Sequence, residues 1–169
     1  MKFTNSLIKG KLLKRYKRFF ADIKVNNKII TAHCPNTGSM QGLLDEGNEV
    51  LLTEHNDPKR KLKFTLEIIK AKKRYVGVNT HRANKIVNHG LENKLISEFK
   101  TIKNIKPEFK FSDDTRFDFL CDSNLIEVKN VTLFRENDIA EFPDAVTSRG
   151  TKHLNMLIKS IKKGYKPYV

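Results

Sequence analysis

Apolar residues in the first eighty positions recur with a period of two. Phe19, Ala21, Ile23 and Val25 alternate with polar neighbours up to Asn26-Asn27, a pair suited to a tight hairpin turn. Ile30, Ala32 and Cys34 continue the alternation beyond that turn. A turn-rich stretch follows, Pro35-Asn36-Thr37-Gly38-Ser39, and Gly47-Asn48 then precedes Val50-Leu51-Leu52. Phe64, Leu66 and Ile68 alternate again, and Tyr75-Val76-Gly77-Val78 supplies a fifth short strand. Five short strands predict a small OB-like β-barrel over residues 1–80.

Beyond residue 80 the period changes. Ile86, Val87, Leu91, Leu95 and Phe99 recur at helical spacing and predict a helix over 83–99, weakened by Gly90. Three strands are expected around 106–111, 115–121 and 125–134, then a helix carrying Leu154, Leu157, Ile158 and Ile161. This α-β-β-β-α order is the core order of restriction-endonuclease-like domains. Residues 81–169 therefore read as a second, α/β domain, and the fold class as α+β.

Candidate chemistry lies on two of these strands. Phe117, Phe119 and Cys121 alternate with Arg116, Asp118 and Leu120, an apolar face against a more polar one. Ile126 and Val128 give the next strand its own apolar face, and Asp122-Ser123-Asn124 is turn chemistry. If residues 121 and 124 close a two-residue turn, Asp118 falls opposite Glu127. Asp118, Glu127 and Lys129 then share one face, and a slip of one residue would separate Asp118 from Glu127. Directly opposed side chains sit roughly 5 Å apart at Cβ, which suits two carboxylates sharing a divalent cation. Mg2+ or Mn2+ takes oxygen ligands of this kind together with water and phosphate. Lys129 is placed to stabilise charge developing on a phosphate. The same three residues also suit a surface cross-strand ion cluster.

Charge alters the range of partners. The formal net charge is +14 and the isoelectric point about 9.8, a field that attracts phosphate polymers or anionic membranes. Enrichment in Lys, Asn and Ile accounts for part of it. No apolar run is long enough to span a membrane, and Lys9, Lys11, Lys14 and Arg15 interrupt any signal-peptide core. The expected location is the cytoplasm. Cys34 and Cys121 are isolated and imply neither a metal-ligand set nor a disulfide framework.

Two basic groups are candidates for nucleic acid. Arg15, Lys17 and Arg18 lie beside Tyr16 and Phe19, which offers both charge and stacking surface to a single strand; a core role for Phe19 is the alternative. Arg149, Lys152 and His153 cluster where the last helix begins, and a helix N-terminus favours phosphate. Residues 35–40 contain good phosphate-binding donors, although a structural turn between barrel strands is the preferred reading. Asp144, after Pro143, is expected to cap the following helix, an approach to the metal being the alternative.

Several motifs resemble the sugar fermentation stimulation protein family: Arg15-Tyr16-Lys17-Arg18-Phe19, His33-Cys34-Pro35-Asn36-Thr37-Gly38-Ser39-Met40, Val76-Gly77-Val78-Asn79-Thr80 and Arg116-Phe117-Asp118-Phe119. Glu127-Val128-Lys129-Asn130-Val131-Thr132-Leu133, Phe142-Pro143-Asp144-Ala145-Val146-Thr147, Arg149-Gly150 and Lys152-His153-Leu154 continue the series in order. The resemblance implies an N-terminal OB-like domain and a C-terminal PD-(D/E)xK nuclease-like domain. It also implies sequence-nonspecific DNA binding and a role in regulating sugar (maltose) utilisation genes. Asp118, Glu127 and Lys129 match the nuclease-like motif.

Two departures stand out. Nuclease folds of this type often carry an acid on the first helix, where this chain has Asn88 and His89; Glu92 or Glu98 are possible substitutes. The ending Lys166-Pro167-Tyr168-Val169 reads as the opening of another strand, so a truncated C-terminal domain is expected. Two functions follow. The first is a DNA-binding regulator with the nuclease-like domain as scaffold. The second is a Mg2+- or Mn2+-dependent endonuclease using Asp118 and Glu127 as metal ligands and Lys129 as charge stabiliser. The barrel alone leaves RNA open as a partner.

Overall fold

A computed structural model describes residues 2–4, 6–135, 139–145 and 147–169. It resolves into two compact units, Met1–His81 with Asn130–Ala145, and Arg82–Lys129 with Val146–Val169.

The first unit is a barrel built from β1 (Ile8–Tyr16), β2 (Phe20–Val25), β3 (Lys28–His33), β4 (Glu49–Glu54) and β5 (Phe64–Ala71). The order β3-β2-β1-β4-β5 closes through a parallel pairing of β3 with β5, which removes the sheet edges. A further strand, β6 (Arg74–Gly77), extends the sheet from β5.

The number of barrel strands matches the expectation, but their membership differs. The stretch 75–78 contributes the added strand β6, and the overlooked member is β1. Its core positions include Gly10, which no hydrophobic pattern reveals. A Cβ there would stand 2.5 Å from Ile23 Cγ2, so the close approach of β1 and β2 requires glycine.

Leu12, Ile23, Val50, Leu52, Leu66 and Ile69 fill the barrel core. Phe134 joins them from the segment 130–145. Gly42, at φ +83°, lies so close to the Phe134 carbonyl that a Cβ would sit 1.5 Å from its oxygen. The strand expected at 125–134 is therefore mostly something else. Only β9 (Asn124–Ile126) is strand, and the segment Asn130–Ala145 belongs to the first unit.

The second unit is a four-stranded sheet, β10-β9-β8-β7, with β7 at Ile105–Ser112, β8 at Thr115–Cys121 and β10 at Lys166–Tyr168. β10 runs parallel to β9 and is the strand anticipated at the end of the chain. Helix α1 spans Ala83–Glu92, shorter than expected, because Lys94 turns left-handed at φ 55° and Leu95 N–H bonds back to the Gly90 carbonyl. Helix α2 spans Ser148–Ile161.

Two apolar clusters occupy this unit. Phe119, Cys121 and Ile126 pack with Leu91 of α1 and with Phe99, whereas Phe117, Leu120 and Leu125 pack with Leu157 of α2. The single apolar face expected on β8 is thus split, and Leu120 is buried rather than polar-facing. A strand with apolar clusters on both sides reads as a near-continuous hydrophobic run. Phe117 and Phe119 part company where β7 carries Glu108 at φ 51°, between the residues paired with those two phenylalanines.

Candidate functional site

The turn Asp122-Ser123 sets the geometry. Asp122 adopts φ 51°, and its carboxylate accepts from the backbone N–H groups of Lys103 and Asn104 at 3.1 Å each. These bonds, the largest being that from Lys103, hold the Asp122 pKa below the ordinary value. Cys121 pairs with Asn124, Leu120 with Leu125 and Phe119 with Ile126. The pairing ends at Phe119 and Ile126, and Asp118 and Glu127 are the next residues along their two segments.

The ladder ends there for an identifiable reason. The N–H of Val128 donates to Asp118 Oδ2 at 2.6 Å, so a side chain takes over a backbone donor. The other oxygen, Oδ1, accepts from the Asn84 side-chain amide at 2.6 Å. Asn84 lies in the first turn of α1. It is the helix residue that answers Asp118, whereas Asn88 and His89 were the positions singled out by sequence. Its amide is neutral, so the helix residue that meets Asp118 is not an acid.

Glu127 is 4% exposed. Its Oε1 meets Lys129 Nζ in a short contact and His153 Nδ1 at 2.6 Å. His153, placed by sequence among phosphate-binding cations, thus belongs to the carboxylate cluster as well. Its ring also meets Phe117 edge-on, with centroids 6.2 Å apart. Glu127, Lys129 and His153 are joined by these bonds, whereas Asp118 is held by Asn84 and the Val128 N–H.

The other basic residues divide. Arg149, Lys152 and His153 line a cleft of about 630 Å³ together with Lys110, Arg116 and Asp114. Lys152 Nζ lies 2.7 Å from the Asp114 carboxylate, and hydrogen bonds from Lys152, Ser112 and Thr115 pull the Asp114 pKa down to about 2. Lys17 and Arg18 sit at the β1–β2 turn with φ 47° and 62°. Arg15 holds that turn from within: its guanidinium donates to the carbonyls of Arg18 (2.9 Å), Ser39 (3.3 Å) and Asn36 (2.7 Å).

A second cleft, of about 390 Å³, is lined by Asp118, Asn84, Asn88, Glu92 and Glu108. Glu92, one proposed substitute for the helix acid, reaches this cleft; Glu98 instead bonds Ser97. Among the described residues no three His, Cys, Asp or Glu side chains group closely enough to enclose a metal. Carboxylates such as Asp118 and Glu127 are the ligand type that a hard cation takes together with water and phosphate.

Asp144 departs from expectation. Thr147, not Asp144, caps α2, its side chain accepting from the Gly150 N–H. Asp144 accepts from the Ser39 hydroxyl at 2.5 Å, the Met40 N–H at 3.0 Å and the Thr132 hydroxyl at 2.9 Å. Residues 35–40 therefore form a turn that holds one of the protein's own carboxylates.

Comparison with known proteins now adds to this geometry. The family described as "Sugar fermentation stimulation protein RE domain" matches residues 81–169, and "SfsA N-terminal OB domain" matches residues 13–78. The chain belongs to the sugar fermentation stimulation protein family. It is 64% identical to the sugar fermentation stimulation protein homolog of Pelagibacter ubique, over 100% of this chain and 75% of that protein. The homolog from Alteromonas mediterranea is 45% identical, over 98% of this chain and 74% of its own length. Among solved structures, that of Pyrococcus furiosus SfsA in complex with Ca2+ superposes with a TM-score of 0.84. It covers 99% of this chain and 72% of its own at 24% identity, a likeness of fold. Among the described residues no helix is long and apolar enough to cross a membrane.

Proposed function

We propose that this protein binds DNA without sequence preference, through the basic cleft of its second unit. The observation that carries the reading is the convergence of Arg149, Lys152 and His153 from the start of α2 with Lys110 and Arg116 on one cleft. Cations in a concave site concentrate a polyanion by releasing its counterions. His153 links that cleft to Glu127, so a phosphate held there lies beside the carboxylate cluster. Within its family, such a protein suits a regulator of sugar (maltose) utilisation genes.

Fluorescence anisotropy with duplex DNA over a salt series tests this. Affinity is expected to fall steeply with salt, and the double variant Arg149→Ala, Lys152→Ala to lower the slope by about two. A flat salt dependence, or a slope unmoved by the double variant, would overturn the reading.

A second reading has its own observation: the buried Glu127, bonded to Lys129 and His153. In this reading the protein is a metal-dependent endonuclease. Asp118 and Glu127 would hold Mg2+ or Mn2+. When bound, such a cation polarises the phosphoryl oxygen and lowers the pKa of its water. Lys129 stabilises charge on the phosphate, and His153 fixes the Glu127 carboxylate. The Ca2+ named with the Pyrococcus furiosus relative brings the same class of cation into consideration here. Calorimetric titration of Mn2+ into the wild type and Glu127→Ala decides between scaffold and enzyme. Binding lost in the variant supports the enzyme. No heat in either protein, with or without DNA, leaves the cluster as structural ion pairing.

A further inference from the structure

On the barrel, one large aromatic ring is exposed on a backbone that is firmly held. Phe19 is 42% exposed, yet its N–H donates to the Lys17 carbonyl and its carbonyl accepts from the Cys34 N–H, both at 2.8 Å. The three donations from Arg15 fix the same turn. Lys17 and Arg18 sit in left-handed conformations that cost non-glycine residues energy, so the turn is held in this shape by its surroundings. The Phe19 ring stacks on His33, with centroids 6.4 Å apart and planes 28° from parallel.

His33 ends β3, where the parallel pairing sets it beside Thr65 of β5. Arg60 reaches the same point from the β4–β5 loop, donating to the Thr65 hydroxyl at 3.0 Å. Burial foremost, then the nearby charges of Arg60 and His81, push the His33 pKa down, which favours a neutral ring. An exposed aromatic face, an imidazole beneath it and cations from the β1–β2 and β4–β5 loops therefore meet at one end of the barrel.

We propose that Phe19, backed by His33, is a stacking platform for an unpaired base, with Lys17, Arg18 and Arg60 holding the flanking phosphates. The ligand is a single-stranded oligonucleotide. Every base has a π-face, so stacking tolerates any sequence, and the cations meet the backbone. This inference rests on the nucleic-acid reading above but assigns a different site and strand state from the duplex cleft.

The chain contains no tryptophan, which provides a direct probe. In Phe19→Trp the indole is the sole tryptophan emitter, and a base stacked on it quenches its fluorescence. Titration with oligo-dT and oligo-rU is expected to quench it in at least one arm, which identifies the class of strand. Quenching in neither arm overturns the proposal. In anisotropy, Phe19→Ala is expected to weaken single-strand binding about 5- to 150-fold, with Phe19→Tyr close to wild type. Duplex binding is expected to stay unchanged in all three variants. Single-strand binding by Phe19→Ala at wild-type strength, with duplex binding intact, would sink the platform and spare the cleft. Loss of wild-type binding to duplex and single strand alike would sink both.

Discussion

Two glutamates are buried almost equally in this protein, and they place their hydrogen bonds differently. Glu67 is 2% exposed and Glu127 4%. Each sits where a ladder is interrupted: Glu67 at the register shift between β4 and β5, Glu127 just beyond the end of β9. Glu67 Oε1 accepts from the Thr53 hydroxyl at 2.7 Å and Oε2 from the Asn79 amide at 2.9 Å. A side-chain donor from the same unit thus engages each oxygen. At Glu127 a lysine and a histidine converge on one oxygen. A carboxylate with fixed donors on both oxygens acts as a staple. One that gathers ionisable partners at a strand end, beside a basic cleft, is arranged for electrostatics. Asp118 combines the two: neutral donors hold it, and it lines an open cleft.

The largest expected effect on stability separates the pair. Glu67→Ala takes the acceptor from the Asn79 amide and from the Thr53 hydroxyl, which keeps its contact with His55, at about 1–3 kcal/mol each before relaxation. A loss of roughly 2–4 kcal/mol is expected in urea unfolding. A midpoint equal to wild type would break the comparison.

Glu127→Gln keeps the shape and one acceptor while removing the charge, so its stability cost is expected to be smaller, about 1–2 kcal/mol. On the endonuclease reading, its Mn2+ affinity is expected to vanish. If it unfolded as readily as Glu67→Ala while still binding Mn2+, Glu127 would be a staple too.

The turn at residues 122–123 made the register of β8 against β9 legible as far as Phe119 and Ile126, because turn length fixes strand register and register fixes faces. The basic cluster at the start of α2 was readable as a helix N-terminus. Other features depend on contacts that sequence patterns do not encode. Gly10 is a core position without a side chain. Asn84 touches Asp118 across 34 residues, where no local spacing points. Phe134 enters the barrel core from beyond the second unit's strands, and a run such as Val131, Leu133 reads as strand whichever unit receives it. The role of residues 35–40 was hidden for the same reason: the carboxylate they hold lies 104 residues from Met40.

Asp144 gives the smallest expected effect and the sharpest pH signature. Its donors are two hydroxyls and a backbone amide, and it is only partly buried. Burial alone would raise its pKa; the Ser39 hydroxyl, the Met40 amide and the Thr132 hydroxyl outweigh that and hold it below the ordinary 3.8. A folded pKa below the unfolded one means that the unfolded chain binds the proton first as acid is added. The stabilisation is therefore complete above 3.8 and is lost as pH falls through the folded value. Asp144→Asn is expected to cost about 1 kcal/mol at neutral pH, after discounting for solvent screening. The gap to wild type should close in strong acid, where both side chains are uncharged. Urea midpoints for the two proteins across an acid series measure it. A gap that stayed constant into acid would mean that the turn is held by shape, and that the charge of Asp144 contributes nothing to it.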